Sequence, residues 1–136
     1  MHVIRSSETR RTETPNAVMT TLASPTQGES GQAVWRVEMA AGQAGPLHGI
    51  DAQQVWTVLD GGARVEFGAQ AAVLRTGDTA VLPADVGRRI TADPAAGLVA
   101  IVTAPAGMRA YVLAGTAAGP HPPVADADKI APGWVV

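Results

Sequence analysis

The sequence predicts an all-β fold, a sandwich or barrel of short strands joined by tight turns. Apolar and polar residues alternate over short runs, and 15 glycines and 10 prolines interrupt the chain repeatedly. No run of the sequence has the length and the 3.6-residue periodicity of a long helix. Hydrophobic residues make up 46% of the 136 residues and charged residues only 16%, which indicates one folded domain.

Strand periodicity is clearest in residues 33–40, where Trp35, Val37 and Met39 fall on one face. The other predicted strands are residues 54–60, 63–67, 71–75, 79–83, 88–92, 97–103 and 109–114, with residues 17–23 as a candidate N-terminal strand. Turn signals rich in Gly, Asp and Pro separate them, at residues 60–62, 67–68, 76–78, 85–87 and 93–94. Both ends of the chain are rich in polar residues, Pro and Ala. We therefore predict a barrel domain over residues 17–115, an N-terminal arm over 1–16 and a C-terminal tail over 116–136.

Charge and composition exclude several classes of function. A net charge of -2 predicts no electrostatic attraction to nucleic acid or to an anionic membrane. Because the chain has no cysteine, disulfides, thiolate nucleophiles, iron–sulfur clusters and zinc–thiolate sites are excluded. The N-terminus lacks the apolar run of a secretory signal, and no window approaches the roughly 18 apolar residues of a membrane span. We expect a soluble, cytoplasmic protein whose partners are small molecules or other proteins.

Two groups of residues have a distinctive spacing. The first group is Gly42, His48, Ile50, Gln54 and Gly61, with five, one, three and six residues between successive members. The second group is Gly77, Pro83 and Arg88. Together they resemble the two motifs of the cupin superfamily, over about residues 30 to 115. The resemblance implies a double-stranded β-helix, a small jelly-roll barrel with a pocket at its open end, and a homodimer in which an N-terminal strand crosses to the partner.

The metal site that the resemblance implies is degenerate in this sequence. Metal-binding cupins take three histidines and a glutamate or glutamine from the two motifs, and those positions hold His48, Ile50, Gln54 and Arg88. Isoleucine has no donor atom, and a protonated guanidinium does not ligate a cation. We therefore expect no metal and no other cofactor, unless His121, or less readily His2, folds back to complete a site with His48 and Gln54.

The same positions are instead candidates for an organic pocket. Alternation along the strand places Gln54, Trp56 and Val58 on one face, and the resemblance directs that face into the barrel. His48 and Arg88 are the candidate catalytic residues, His48 for proton transfer and Arg88 to stabilise negative charge on oxygen. The candidate ligand-binding residues are Gln54, Ile50, Trp56, Val58 and Ile90.

Each polar candidate also has a structural interpretation. His48 and Gln54 can be hydrogen-bonded within the barrel wall, and Trp56 can be a core residue rather than a stacking surface. An inward Arg88 requires a negative partner, which is either an anionic group of the ligand or a carboxylate from Glu38 or Asp85. On the outer face, Val55, Leu59 and Val81 predict an apolar surface that a second subunit covers.

Three functions follow from these observations. The first is a metal-independent enzyme of the cyclase or isomerase type, acting on a small organic substrate for which an anion is one option. The second is a non-catalytic module that binds or senses a small ligand. The third is a metal-dependent cupin enzyme, such as a dioxygenase, with an unusual ligand set. Fold alone does not choose between them.

Overall fold

The computed structural model describes residues 1–115 and 118–136, and its regular structure is almost entirely β. The strands are β1 (Arg10–Glu13), β2 (Val18–Ala23), β3 (Gln32–Met39), β4 (His48–Ile50), β5 (Gln54–Phe67), β6 (Gln70–Arg75), β7 (Thr79–Leu82), β8 (Arg88–Ala92), β9 (Leu98–Pro105) and β10 (Ala110–Val112). Two single-turn 3₁₀ helices lie at Ser6–Glu8 and Asp126–Asp128. Within the described ranges, no helix has the length and apolar character needed to cross a membrane.

The strands form one curled antiparallel sheet in the order β1-β2-β3-β9-β5-β8-β4-β10, and β6 and β7 also pair with β5. Strands that are neighbours in the sheet are often distant in the sequence, as β9 is from β3 and from β5. This arrangement is the predicted jelly-roll, a double-stranded β-helix, and the predicted fold class is confirmed. The inward side chains of β3 alternate as predicted, with Trp35, Val37 and Met39 buried in the core.

Strand β5 corrects one predicted turn. Residues 54–60 and 63–67 were predicted as two strands, but they form one 14-residue strand that first pairs with β7 and β9 and then with β6 and β8. A register shift between Val58 and Asp60 bends it from one side of the barrel to the other. Gly61 has φ +67°, and a Cβ there would lie 2.0 Å from the carbonyl oxygen of Gly97. The Asp-Gly-Gly sequence at residues 60–62 therefore accompanies a bulge and not the predicted turn, because bulges and turns require the same backbone freedom.

The N-terminal segment contributes two strands to the same sheet. The predicted strand 17–23 is β2, which pairs with β3, and β1 lies within the predicted arm and pairs with β2. The short strand β4 was not in the set of strands predicted from periodicity, since three residues are too few to show it.

The C-terminal segment lies against the barrel. The backbone of Ile130 exchanges two hydrogen bonds with Ala110, at 2.7 and 2.9 Å. The buried Thr21 hydroxyl donates to the carbonyl oxygen of Trp134 at 2.7 Å, and the carbonyl oxygen of Val136 accepts a hydrogen bond from Ser24 at 2.8 Å. Residues 116 and 117, where the predicted tail begins, lie outside the described residues.

Candidate functional site

A cavity of about 1100 Å³ opens between the inner face of the barrel and the C-terminal segment. Five of the predicted site residues line it, namely His48, Ile50, Gln54, Trp56 and Ile90. Two others are buried in the wall behind it: Val58 belongs to the core cluster, and Arg88 is covered completely. The structure therefore gathers the predicted residues in one region, with Val58 and Arg88 set back from the cavity surface.

His48 lies at the start of β4 and is half-buried. Its Nδ1 lies 2.8 Å from the carbonyl oxygen of Pro46, which accepts only, so Nδ1 carries the hydrogen and Nε2 holds the lone pair. Burial lowers the pKa of His48, the positive charge of Arg88 lowers it further, and the hydrogen bond to Pro46 partly opposes both. The imidazole is therefore neutral at pH 7 and has one basic nitrogen.

Gln54 begins β5 and is 3% exposed. Its side-chain oxygen accepts hydrogen bonds from Trp56 Nε1 and from Arg88 Nη1, both at 3.3 Å. Because indole and guanidinium groups only donate, the oxygen must face them and the amide nitrogen must point away. The contact of that nitrogen is Met108 Sδ at 3.9 Å, which is a weak acceptor.

Arg88 begins β8, next to His48 in the β4–β8 pairing, and is 0% exposed. Besides the bond to Gln54, its Nε donates to the carbonyl oxygen of Val86 at 3.1 Å and its Nη2 to that of Pro83 at 2.7 Å. The guanidinium carbon lies 5.2 Å from the centre of the Phe67 ring, within the range of a cation–π contact. Burial lowers the pKa of Arg88 to about 10, so the group stays charged at neutral pH.

The oxygen atoms around Arg88 differ from those expected from the sequence. Glu38 pairs instead with Arg36 at 2.9 Å, on the outer face of β3. Asp85 accepts a hydrogen bond from Tyr111, and in the described part of the chain no carboxylate lies within 4 Å of the guanidinium. Main-chain carbonyl groups take the place of a carboxylate, and such partners leave no mark in the sequence.

A second polar group, missed by the sequence reasoning, lies at Tyr111. The Tyr111 hydroxyl donates to Asp85 Oδ1 at 3.0 Å and lies 3.4 Å from Nε2 of His121. Burial and the neighbouring carboxylate raise the pKa of Tyr111 to about 12. Gly49, opposite Tyr111 in the β4–β10 pairing, makes room for the ring, because a Cβ at this position would lie 2.2 Å from it. The available sequence signal was that this is the one tyrosine of the chain.

The described residues do not fit a metal ion. No group of three or more His, Asp or Glu side chains in the described ranges is arranged to hold one. His121 contacts Tyr111, His2 bonds to the carbonyl oxygen of Gly28 at 2.9 Å, and neither joins His48 in a ligand set. The oxygen of Gln54 faces Arg88, whose positive charge opposes a bound cation.

The apolar wall of the cavity is rich in aromatic and sulfur-containing side chains. All three tryptophans of the chain line it, and so do three of its four methionines. These residues are Trp35, Trp56, Trp134, Met19, Met39 and Met108. The β3 periodicity predicted that Trp35 and Met39 share one face, whereas Trp134 reaches the cavity from the far end of the chain.

Comparison with known proteins identifies the fold. No protein-family model and no curated protein sequence matches the chain. Among solved structures, an oxalate decarboxylase from Bacillus subtilis superposes with a TM-score of 0.67 and 16% identity, over 74% of this chain and only 28% of that one. The polyketide cyclase RemF from Streptomyces resistomycificus gives 0.67 and 15% identity, over 79% of this chain and 81% of that one. An RmlC-like cupin from Shewanella frigidimarina gives 0.66 and 19% identity, over 79% and 93%. The two spaced motifs and these likenesses agree, and this chain has the fold of the cupin superfamily in a small single-domain form.

Proposed function

We propose that the barrel binds a small organic molecule in its cavity and catalyses a metal-independent proton-transfer reaction of the cyclase or isomerase type. The observation that carries this proposal is His48, a neutral imidazole at the wall of a large apolar cavity with Nδ1 tied to Pro46 and Nε2 basic. A concave, mostly apolar cavity with a few convergent polar groups is the usual form of a small-molecule site. The likeness in size and fold to a polyketide cyclase supports the same class of reaction.

The chemistry needs no oxidant and no cofactor. Nε2 of His48 removes a proton from a carbon beside a carbonyl group, and the electron pair of the broken C–H bond moves onto the carbonyl oxygen as an enolate. The imidazolium then returns the proton to a different carbon or to the oxygen. Alternatively, the enolate carbon attacks a second carbonyl of the same molecule, the π electrons of that carbonyl move onto its oxygen, and the imidazolium protonates the resulting alkoxide. The buried charge of Arg88 favours the negative oxygen through the field of the site.

Hydrogen exchange into a simple ketone tests this function without knowledge of the natural substrate. In D₂O, NMR measures deuterium uptake next to the carbonyl of 2-tetralone, with wild-type protein and with His48→Gln. We expect the protein-dependent rate to fall by about 10² to 10⁴ in the variant. The control is His2→Gln, which removes a histidine that is bonded to Gly28 and does not line the cavity. Binding of the ketone with no acceleration of exchange would favour the non-catalytic binding module instead.

Elemental analysis addresses the metal-dependent alternative. The protein, purified without chelator, is assayed for Mn, Fe, Co, Ni, Cu and Zn before and after incubation with each metal. We expect well below one equivalent per chain, because the described donors do not converge. Near one equivalent would make His48 and Gln54 ligands and would overturn the metal-independent proposal.

We also propose that the chain forms a homodimer through the outer face of the sheet. Leu59 and Val81 point outward as predicted, with 49% and 55% of their surface exposed, and they give this face an apolar character. Light scattering of Val81→Lys should then show a shift toward monomer, because a lysine in a buried apolar interface is unpaired. Val73→Lys is the control, since Val73 in β6 is also exposed and lies away from the strand that carries Val81. A dimer unaffected by Val81→Lys would exclude this face.

A further inference from the structure

We infer that the amide N–H of Gln54, polarised by Arg88, is the group that receives a carbonyl oxygen of the ligand, and that the ligand is a flat, uncharged aromatic ketone or a close relative. This inference rests on the proposed function and names the substrate class of the same cavity. It also gives Arg88 a positioning role in place of direct contact with the ligand.

The Gln54 amide has a fixed orientation. Its oxygen is fixed between two donor groups, so its two N–H bonds are directed elsewhere, in a residue that is only 3% exposed. A thioether sulfur at 3.9 Å is a poor substitute for an oxygen acceptor. A buried donor with so weak a partner is costly, and a ligand oxygen in the cavity would relieve that cost.

Arg88 polarises that amide. Its positive charge lies against the amide oxygen, and it draws electron density toward the oxygen and away from the nitrogen. The N–H group becomes a stronger donor, most of all toward an oxygen on which negative charge develops. Since other Arg88 donors are engaged by Pro83 and Val86, the arginine acts on the ligand through Gln54.

The charged residues that line the cavity indicate the charge of the ligand. Of the described residues that line the cavity, none is lysine or arginine, and Asp128 carries a negative charge. A permanently ionised carboxylate or phosphate on the ligand would have no direct cationic partner there, and its desolvation would be unfavourable. These walls therefore favour an uncharged molecule with a carbonyl group over the anion that the sequence left as one option.

The walls and the volume of the cavity indicate the shape of the ligand. Tryptophan faces offer extended flat surfaces, and Trp35, Trp56 and Trp134 all lie on the walls. Methionine side chains adapt to irregular outlines and contact aromatic rings favourably. A volume of about 1100 Å³ is large for a single sugar or a short acid and suits several fused rings.

Three related flat probes test the contact with the carbonyl group and the preference for an uncharged ligand. They are 9-fluorenone, a flat tricyclic ketone; fluorene, which has the same shape without the carbonyl; and 9-fluorenone-2-carboxylate, which adds a negative charge. Quenching of tryptophan fluorescence gives the three dissociation constants. We expect fluorenone to bind about tenfold more tightly than fluorene, as for one hydrogen bond to a buried donor, and the carboxylate to bind most weakly.

Matched variants assign the difference to Gln54. The ratio of the fluorene and fluorenone dissociation constants should fall to about one in Gln54→Leu and stay at the wild-type value in Gln53→Leu, because Gln53 is the exposed neighbour. A ratio cancels any general change in the apolar walls. If fluorenone binds and the ratio is unchanged in Gln54→Leu, the Gln54 assignment is wrong while the proposed pocket stands.

Infrared spectroscopy reports the role of Arg88. The carbonyl stretch of bound fluorenone should lie at lower frequency in the wild type than in Arg88→Met, while Arg88→Lys, which retains the charge, keeps part of the shift. The control is Arg36→Met, on the outer face. If Arg88→Met does not fold, the carbonyl stretches of fluorenone bound to wild type, Arg88→Lys and Gln54→Leu are compared instead.

Three outcomes would each overturn the inference. They are equal carbonyl stretches in wild type, Arg88→Lys and Gln54→Leu, tightest binding of the carboxylate, and no binding of either neutral probe. Loss of 2-tetralone exchange with the fluorenone ratio intact would remove only the catalytic proposal.

Discussion

The guanidinium of Arg88 is hydrogen-bonded to the side-chain oxygen of Gln54 at 3.3 Å, across 34 positions of sequence. Both residues stand where the resemblance to metal-binding cupins places metal ligands. The positive charge of the arginine and the amide of the glutamine thus occupy the region that the resemblance assigns to a cation, and they are hydrogen-bonded to each other.

The first prediction concerns the stability that these bonds provide. Arg88→Met removes the side-chain donor of the carbonyl oxygens of Pro83 and Val86, and it leaves the amide oxygen of Gln54 with Trp56 as its one remaining donor. We expect the free energy of unfolding to fall by about 2 to 4 kcal/mol, because unsatisfied buried acceptors outweigh the relief of removing a buried charge. Urea denaturation measures it, with Arg36→Met as an exposed control that should change little. Equal or greater stability of Arg88→Met would show that the buried charge costs more than its bonds return.

The second prediction concerns the pH dependence of His48. Its pKa is lower in the folded protein than the ordinary value of 6.5, so near pH 6 the unfolded chain binds more protons than the folded one. Stability is therefore fully present above pH 6.5 and declines as the pH falls from 6.5 through the folded pKa. Thermal unfolding at a series of pH values should show this decline in the wild type.

The His48→Gln variant isolates that dependence. Its melting temperature should depend less on pH below 6.5 than that of the wild type. The NMR titration of the His48 ring gives the folded pKa directly, and a value above 6.5 would contradict the assignment of a neutral base.

The third prediction uses the single tyrosine of the chain. Burial, with help from Asp85, raises the pKa of Tyr111 to about 12, so its absorbance change should appear about two pH units above that of free tyrosine. Because the folded pKa is raised, stability associated with Tyr111 is present below pH 10 and is lost as the pH rises toward 12. Asp85→Asn should lower the midpoint without restoring 10, since burial remains. A midpoint near 10 in the wild type would mean that the ring is exposed.

Much of the fold was predictable because strand alternation is a local signal. Trp35, Val37 and Met39 share one buried face, as their spacing indicated that they share a face, and strand β8 begins and ends at the predicted residues. The break predicted at Asp60 was wrong because a bulge and a turn share the same local chemistry, and only the pairing partners of β5 distinguish them.

The site was less predictable because its polar partners are main-chain atoms and distant residues. Sequence placed Gln54 at the pocket but gave no indication that its oxygen faces Arg88, and the carbonyl groups of Pro83 and Val86 have no sequence signature. The contribution of Trp134 depends on a contact with Thr21 across 113 positions, which no periodicity reports.

The last prediction follows from that contact, which holds one wall of the cavity. The Thr21 hydroxyl, fully buried, donates to the carbonyl oxygen of Trp134 at 2.7 Å, and Val135 is buried beside it. Thr21→Val keeps the shape of the side chain but removes the donor, so we expect a loss of about 1 kcal/mol and faster amide hydrogen exchange in residues 130–136, with β9 unchanged.

A matched control for this change is Thr57→Val, which removes a hydroxyl that bonds to Thr79 on the outside of the barrel. This control should leave exchange in residues 130–136 as in the wild type. Fluorenone binding should weaken in Thr21→Val and stay constant in Thr57→Val, because only the first loosens the segment that carries Trp134. Unchanged exchange in Thr21→Val would mean that the remaining contacts, such as the bond from Ser24 to the carbonyl oxygen of Val136, suffice to hold this wall in place.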